Sequence, residues 1–188
     1  MSIWRNLVAR WGSGAGEVDE VRMDASTNSL QTITYEHHEV HSGSAYFTGN
    51  YVDLSNGQVY DILFVTPNTT SYAHMIFEIA TEAEAMFQYY EGVTTSADGT
   101  ALNMFCRNRQ KDNTPAVTFY HTPTVTATGT LIGQGIFGSG KSAGGQIRDS
   151  NEFVLKPNTK YMLRVTNNTV TANWYDYFFD WYEHTDKN

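Results

Sequence analysis

Several stretches of the chain carry residue types that could do chemistry, and each depends on the element that would hold it. Gly135-Ile136-Phe137-Gly138-Ser139-Gly140-Lys141-Ser142 satisfies G-x-x-x-x-G-K-[ST], a loop whose backbone N–H groups cradle phosphates. That chemistry needs a buried parallel strand before the loop and a helix N-terminus after it. Here the sequel is Ala143-Gly144-Gly145-Gln146-Ile147, and its paired glycines oppose a helix start. The nearest acid-terminated apolar run, Phe178-Phe179-Asp180, falls inside an alternating strand pattern rather than a buried strand fit to hold magnesium. The glycine tract therefore reads as a long loop between strands, and no cofactor is expected.

Glu36-His37-His38-Glu39-Val40-His41 is the second stretch. His38-Glu39-Val40-His41 is one residue short of H-E-x-x-H, the helical zinc spacing. Read as part of an extended strand, it places His37, Glu39 and His41 on one face, successive members roughly 6.6–7 Å apart. These three are the candidate metal ligands, with zinc the expected ion. The order differs from the His-x-His-then-Glu arrangement of cupin jelly rolls. The preferred reading assigns no metal, the histidines making hydrogen bonds at a strand edge or interface.

The third stretch, Trp174 to His184, is a strand with two faces of different character. Period two puts Tyr175, Tyr177, Phe179 and Trp181 on one face, which belongs in a core. Trp174, Asp176, Phe178, Asp180 and Tyr182 share the other. That face suits a sugar ring stacked on aromatics with carboxylates on its hydroxyls, or a wet subunit interface. Asp176 and Asp180 as a glycosidase pair would sit roughly 13–14 Å apart at Cα, wide for the ~5–9.5 Å that such chemistry uses. Cys106, among apolar neighbours, reads as a small buried hydrophobe, and no G-x-S-x-G elbow occurs. No catalytic residue is assigned.

These residues need a scaffold, and the rest of the sequence predicts one. The chain has 188 residues, with 12 basic against 20 acidic side chains and a net charge of −8. Nonspecific nucleic-acid and anionic-membrane binding both want the opposite sign. A single cysteine excludes an internal disulfide and a cysteine-based metal cluster. No run approaches the ~18 apolar residues of a spanning helix, and the first residues lack the apolar core of a secretion signal. The expectation is synthesis and folding in the cytoplasm. The sequons at Asn68 and Asn167 then read as turn residues.

Strand-type segments recur at Gln31–His41, Ala45–Leu54, Gln58–Thr66, Tyr72–Ala80, Ala85–Glu91, Leu102–Arg107 and Ala116–His121, then at Thr130–Phe137, Glu152–Leu155, Lys160–Thr166 and Asn173–His184. Turn signals such as Ser55-Asn56-Gly57, Ala97-Asp98-Gly99 and Lys156-Pro157-Asn158 separate them. Helical periodicity is almost absent, apart from one turn allowed at Glu82–Ala85. The predicted fold is all-β, an antiparallel sandwich of jelly-roll-like type. Residues 1–20 stand apart as an arm. Ile3, Trp4, Leu7, Val8 and Trp11 line one side of a short helix, and Gly12-Ser13-Gly14-Ala15-Gly16 tethers it to the sandwich domain at 21–188. Trp4, Leu7, Val8 and Trp11 are the expected partner-binding residues, unless the helix docks on its own domain.

Several phrases resemble a known lineage. They are Val21–Leu30 (VRMDASTNSL), Tyr35–Ser44 (YEHHEVHSGS), Thr66-Pro67-Asn68-Thr69-Thr70 with Ala73-His74-Met75, and Asn108-Arg109 before a Thr-rich strand. Gly138-Ser139-Gly140-Lys141 with Gly144-Gly145, Ser150-Asn151-Glu152-Phe153, and Asp180-Trp181-Tyr182-Glu183-His184 complete the set. Together they are similar to a family of small tailed-bacteriophage virion proteins. The resemblance implies a non-enzymatic structural protein, a capsid decoration or head cement protein on the outer capsid surface, made in the host bacterial cytoplasm. Its implied partners are the major capsid protein and copies of itself, with no nucleic acid and no membrane. A tail, head-to-tail adaptor or fibre-base component is the alternative within the virion. A glycan-binding module using the aromatic strand face is the alternative from another class.

Overall fold

The computed structural model describes residues 35–137 and 152–185. From Glu39 onward the chain forms one compact unit. Its strands are β1 (Ala45–Leu54), β2 (Val59–Val65), β3 (Ser71–Thr81), β4 (Ala85–Glu91), β5 (Thr94–Ala97), β6 (Thr100–Ala101) and β7 (Phe105–Cys106), followed by β8 (Thr118–His121), β9 (Thr124–Ala127), β10 (Thr130–Phe137), β11 (Phe153–Val154), β12 (Lys160–Asn167) and β13 (Asn173–Thr185). One sheet has five strands in the order β11-β3-β13-β1-β7, a second has six in the order β10-β4-β12-β2-β8-β6, and β5 pairs with β9 in a small ribbon. Neighbouring strands run antiparallel throughout the described residues. The molecule is an all-β sandwich, as the strand-and-turn pattern predicts.

The two large sheets meet through rings. Phe179 of β13 lies 5.5 Å from Phe64 of β2 and 5.0 Å from Phe119 of β8, centroid to centroid. Trp181 stands 4.9 Å from the same Phe119. Aromatics bury large areas and prefer such tilted contacts, so this row does most of the work of holding the sheets together. The six-stranded sheet is covered on its other side as well. Leu63 and Met162 are fully buried there with Tyr90 and Val93, and Val125 of the ribbon packs against them. Double coverage explains why Ile62-Leu63-Phe64 and Tyr161-Met162-Leu163 are unbroken apolar runs instead of alternating ones.

Three expectations need correction. Residues 35–42 form helix α1 (Tyr35–Ser42), not the end of a strand. The stop signal is Gly43, which takes φ +84°. Gly43 N–H donates to the Val40 carbonyl and Ser44 N–H to the Glu39 carbonyl, the paired bonds of a Schellman cap. Glu82–Ala85 makes no helical turn, since bends there lead directly into β4. Leu102–Arg107 pairs only at Phe105–Cys106. The Thr-rich strands β5, β6 and β9 were not anticipated, because they are short and mostly exposed. Gly129 shows what fixes that region. With φ +71°, a Cβ there would lie 2.2 Å from the Glu91 carbonyl oxygen.

Burying so many phenols has a consequence for pH. Burial, the largest cause in each case, pushes Tyr46, Tyr161 and Tyr175 up to about 12. It raises Tyr89 and Tyr177 further still. A raised folded-state value means that the unfolded chain ionises first. Stability is therefore complete below the ordinary tyrosine value of about 10 and falls as pH climbs above it. We expect denaturation midpoints to be flat through neutrality and to drop in alkali, with tyrosinate absorbance appearing together with loss of the fold. Titration of these tyrosines near their ordinary value in a still-folded protein would contradict this.

Candidate binding face

The five-stranded sheet leaves part of its outward face open, and β13 sets its pattern. Alternation buries Tyr175, Tyr177, Phe179 and Trp181 and turns Trp174, Asp176 and Phe178 to solvent. That is the division predicted from period two. Cross-strand register then assembles the outward residues into rows. Gly49 of β1, Phe178 and Glu78 of β3 stand side by side, as do Tyr51, Asp176 and Ala80.

Small residues shape this surface. A Cβ at Gly49 would lie 2.8 Å from the Phe178 ring and 2.9 Å from the Tyr177 carbonyl oxygen, so only glycine lets that ring lie down on the strand. With Ala80 also small, the face is hollowed into an open groove of about 330 Å³. Phe178 stacks on Phe47 at 5.7 Å, and Phe47 meets Phe105 at 5.6 Å. Four residues further along β1 and four back along β13, Tyr51 and Trp174 pair at 5.1 Å. Tyr51 is 60% exposed, Trp174 51%, Phe105 43% and Phe178 38%, so these are wet rings on a rigid sheet. Contiguous exposed aromatics of this kind mark interaction surfaces.

Charged residues elsewhere act as braces. Arg107 grips Asp180 through two bonds, Nε donating to Oδ1 at 2.7 Å and an Nη2 contact to Oδ2. Asp180 is thereby committed to tying β13 to the residue after β7, which removes it from any acid–base pair with Asp176. Arg164 forks onto Asp61 at 2.7 and 2.8 Å across β12 and β2. Glu183 Oε1 accepts from Val117 N–H and Trp181 Nε1, each at 3.0 Å, and so pins the entry to β8. Asp98 bonds to Lys160 and Thr95, and those bonds hold its carboxyl below the usual range.

The metal candidates His37, Glu39 and His41 do not share a face. At 3.6 residues per turn, positions 37 and 41 lie on one side of α1 and Glu39 lies roughly opposite. Glu39 is buried and accepts a hydrogen bond from the Ser44 hydroxyl. The strand geometry that would have brought the three together is therefore absent, and no group of three metal-binding side chains occurs among the described residues. A different histidine cluster was missed. His74, Tyr182 and His184 form a triangle of rings, His74 4.7 Å from each of the other two and those two 5.9 Å apart, and Glu152 contacts His74 while accepting from the Tyr182 hydroxyl. Its members are scattered in sequence and meet only through the β3–β13 and β11–β3 pairings, so no local motif announces them.

Gly135-Ile136-Phe137 closes β10, an antiparallel edge strand rather than the central parallel strand a phosphate loop follows. Residues 138–142 lie outside the described residues, as do Trp4, Leu7, Val8, Trp11 and the whole segment 1–20. Cys106 is buried as expected.

No known family, curated protein or solved structure matches this chain.

Proposed function

We propose that this protein works by binding rather than by reaction, as a structural component of a tailed-phage virion of the capsid decoration type. The observation that carries the reading is the open aromatic face of the five-stranded sheet. The protein devotes its rings to a stiff double layer and then presents more of them, uncovered, on the surface. Its charged pairs Arg107–Asp180 and Arg164–Asp61 stiffen strands instead of converging in a cleft. A rigid sandwich with a presented face suits a part that binds neighbours and bears load.

In this reading residues 1–16, with Trp4, Leu7, Val8 and Trp11, attach the protein to the major capsid protein or to a second copy, and the sandwich is held outward. The phrases that resemble those of small phage virion proteins favour this setting, and a tail, adaptor or fibre-base position would use the same parts. Deleting residues 1–16 and measuring incorporation into assembled heads is the test. Loss of incorporation with the sandwich still folded is expected, and undiminished incorporation would remove the arm from the reading.

A further inference from the structure

We infer that the groove over Gly49 and Phe178 is a carbohydrate-binding site for neutral oligosaccharides. This rests on reading the outer sheet face as a binding surface, and not on where in a virion the protein sits. The groove asks for a particular kind of ligand. Phe178 lies on Phe47 at one end of its lining and Tyr51 stands at the other, with Trp174 paired to Tyr51 just outside. Between and beside them stand carboxylates. Asp176 separates Trp174 from Phe178 along the strand, and Glu78 is the cross-strand neighbour of Phe178.

A purely apolar partner would bury those carboxylates without a counter-charge, which costs several kcal/mol per ion in a dry contact. A pyranose ring does not impose that penalty. Its C–H face lies on an aromatic ring while its equatorial hydroxyls donate to carboxylates that stay partly in water. The acids also choose among sugars. With Asp176 and Glu78 on the groove and a net charge of −8, uronates and other anionic glycans are disfavoured along that stretch, while Arg109 stands over the Phe105 ring at 5.4 Å.

Length follows from the strand. Trp174 and Phe178 are four residues apart, roughly 13–14 Å at Cα, so the two ring platforms are spanned by a short oligosaccharide rather than by one sugar. The site is also ordered before the ligand arrives. Gly49 leaves space for the Phe178 ring to rest on the backbone, and both platforms ride on central strands instead of loops. Little side-chain freedom is left to lose on binding.

The test is titration calorimetry on the full chain with cellotetraose, maltotetraose and chitotetraose as neutral probes and tetragalacturonate as the anionic one. Saturable binding of at least one neutral probe is expected, with no response to the anionic one. Phe178→Ala and Trp174→Ala, checked by thermal melting to be folded, should each weaken binding about tenfold or more. Asp176→Asn keeps the shape and should weaken it by about tenfold through lost charge-assisted bonds. Silence from all three neutral probes at millimolar concentration would overturn the inference. So would unchanged affinity in both aromatic variants, or tetragalacturonate binding as tightly as a neutral probe. Because head incorporation is scored on a separate deletion, failure here and failure there are told apart.

Discussion

Phe179→Ala is expected to destabilise the protein by about 3–5 kcal/mol, the cost of removing a fully buried ring and leaving a hole. Phe179 is completely buried and touches Phe64 and Phe119 on the facing sheet, Phe77 on β3 and Tyr177 on its own strand. Those neighbours belong to paired strands and cannot fold inward to fill the space. Equilibrium urea unfolding reads the result as a fall in midpoint with little change in slope. Phe178→Ala, one residue away but pointing outward, is the built-in comparison and should move the midpoint far less. Equal effects from the two would mean that the alternation along β13 does not divide core from surface.

Asn167→Leu should be nearly as damaging, although it exchanges one buried side chain for another of similar size. The Asn167 amide donates to the carbonyls of Leu54 at 2.7 Å, Ser55 at 3.2 Å and Thr171 at 2.8 Å. Its oxygen accepts from the Thr169 amide and hydroxyl, both at 2.8 Å. One side chain thus ties the ends of β1 and β12 to the turn that leads into β13. Leucine fills the volume and satisfies none of these groups, so a loss of about 2–4 kcal/mol is expected from buried polar atoms left without partners. Amide exchange at Thr169 and Gly57, beside the site, should accelerate with it. A midpoint within error of wild type would show that solvent replaces the bonds without cost.

The long strands were legible because period two and β-branched or aromatic composition agree over many residues. β1 and β10 have the boundaries predicted from sequence, and β13 differs by one residue. The aromatic face was legible for the same reason, since Trp174, Asp176 and Phe178 alternate with core residues. Local readings failed where two patterns compete over a short stretch. Tyr35 to His41 has strand-like residues, yet Gly43 in the left-handed region ends a helix there. A glycine just after the run was the available clue, and it pointed to a helix end. Pairings between distant segments were beyond reach. Nothing in the order of residues says that Gly49 will lie beneath Phe178, or that Glu152 will meet His74, because the first depends on β1–β13 register and the second on β11–β3 pairing.

Burial on both sides at the centre of one sheet, and exposure on the outer side of the other, bear on how such a protein can change. At the centre of the six-stranded sheet, Ile62, Leu63 and Phe64 of β2 and Met162 and Leu163 of β12 are fully buried, so substitution has little freedom there. On the open side, Tyr51, Trp174 and Phe178 belong to strands already secured from beneath. Drift or selection can exchange those three residues and retune what is recognised while the framework keeps its melting behaviour.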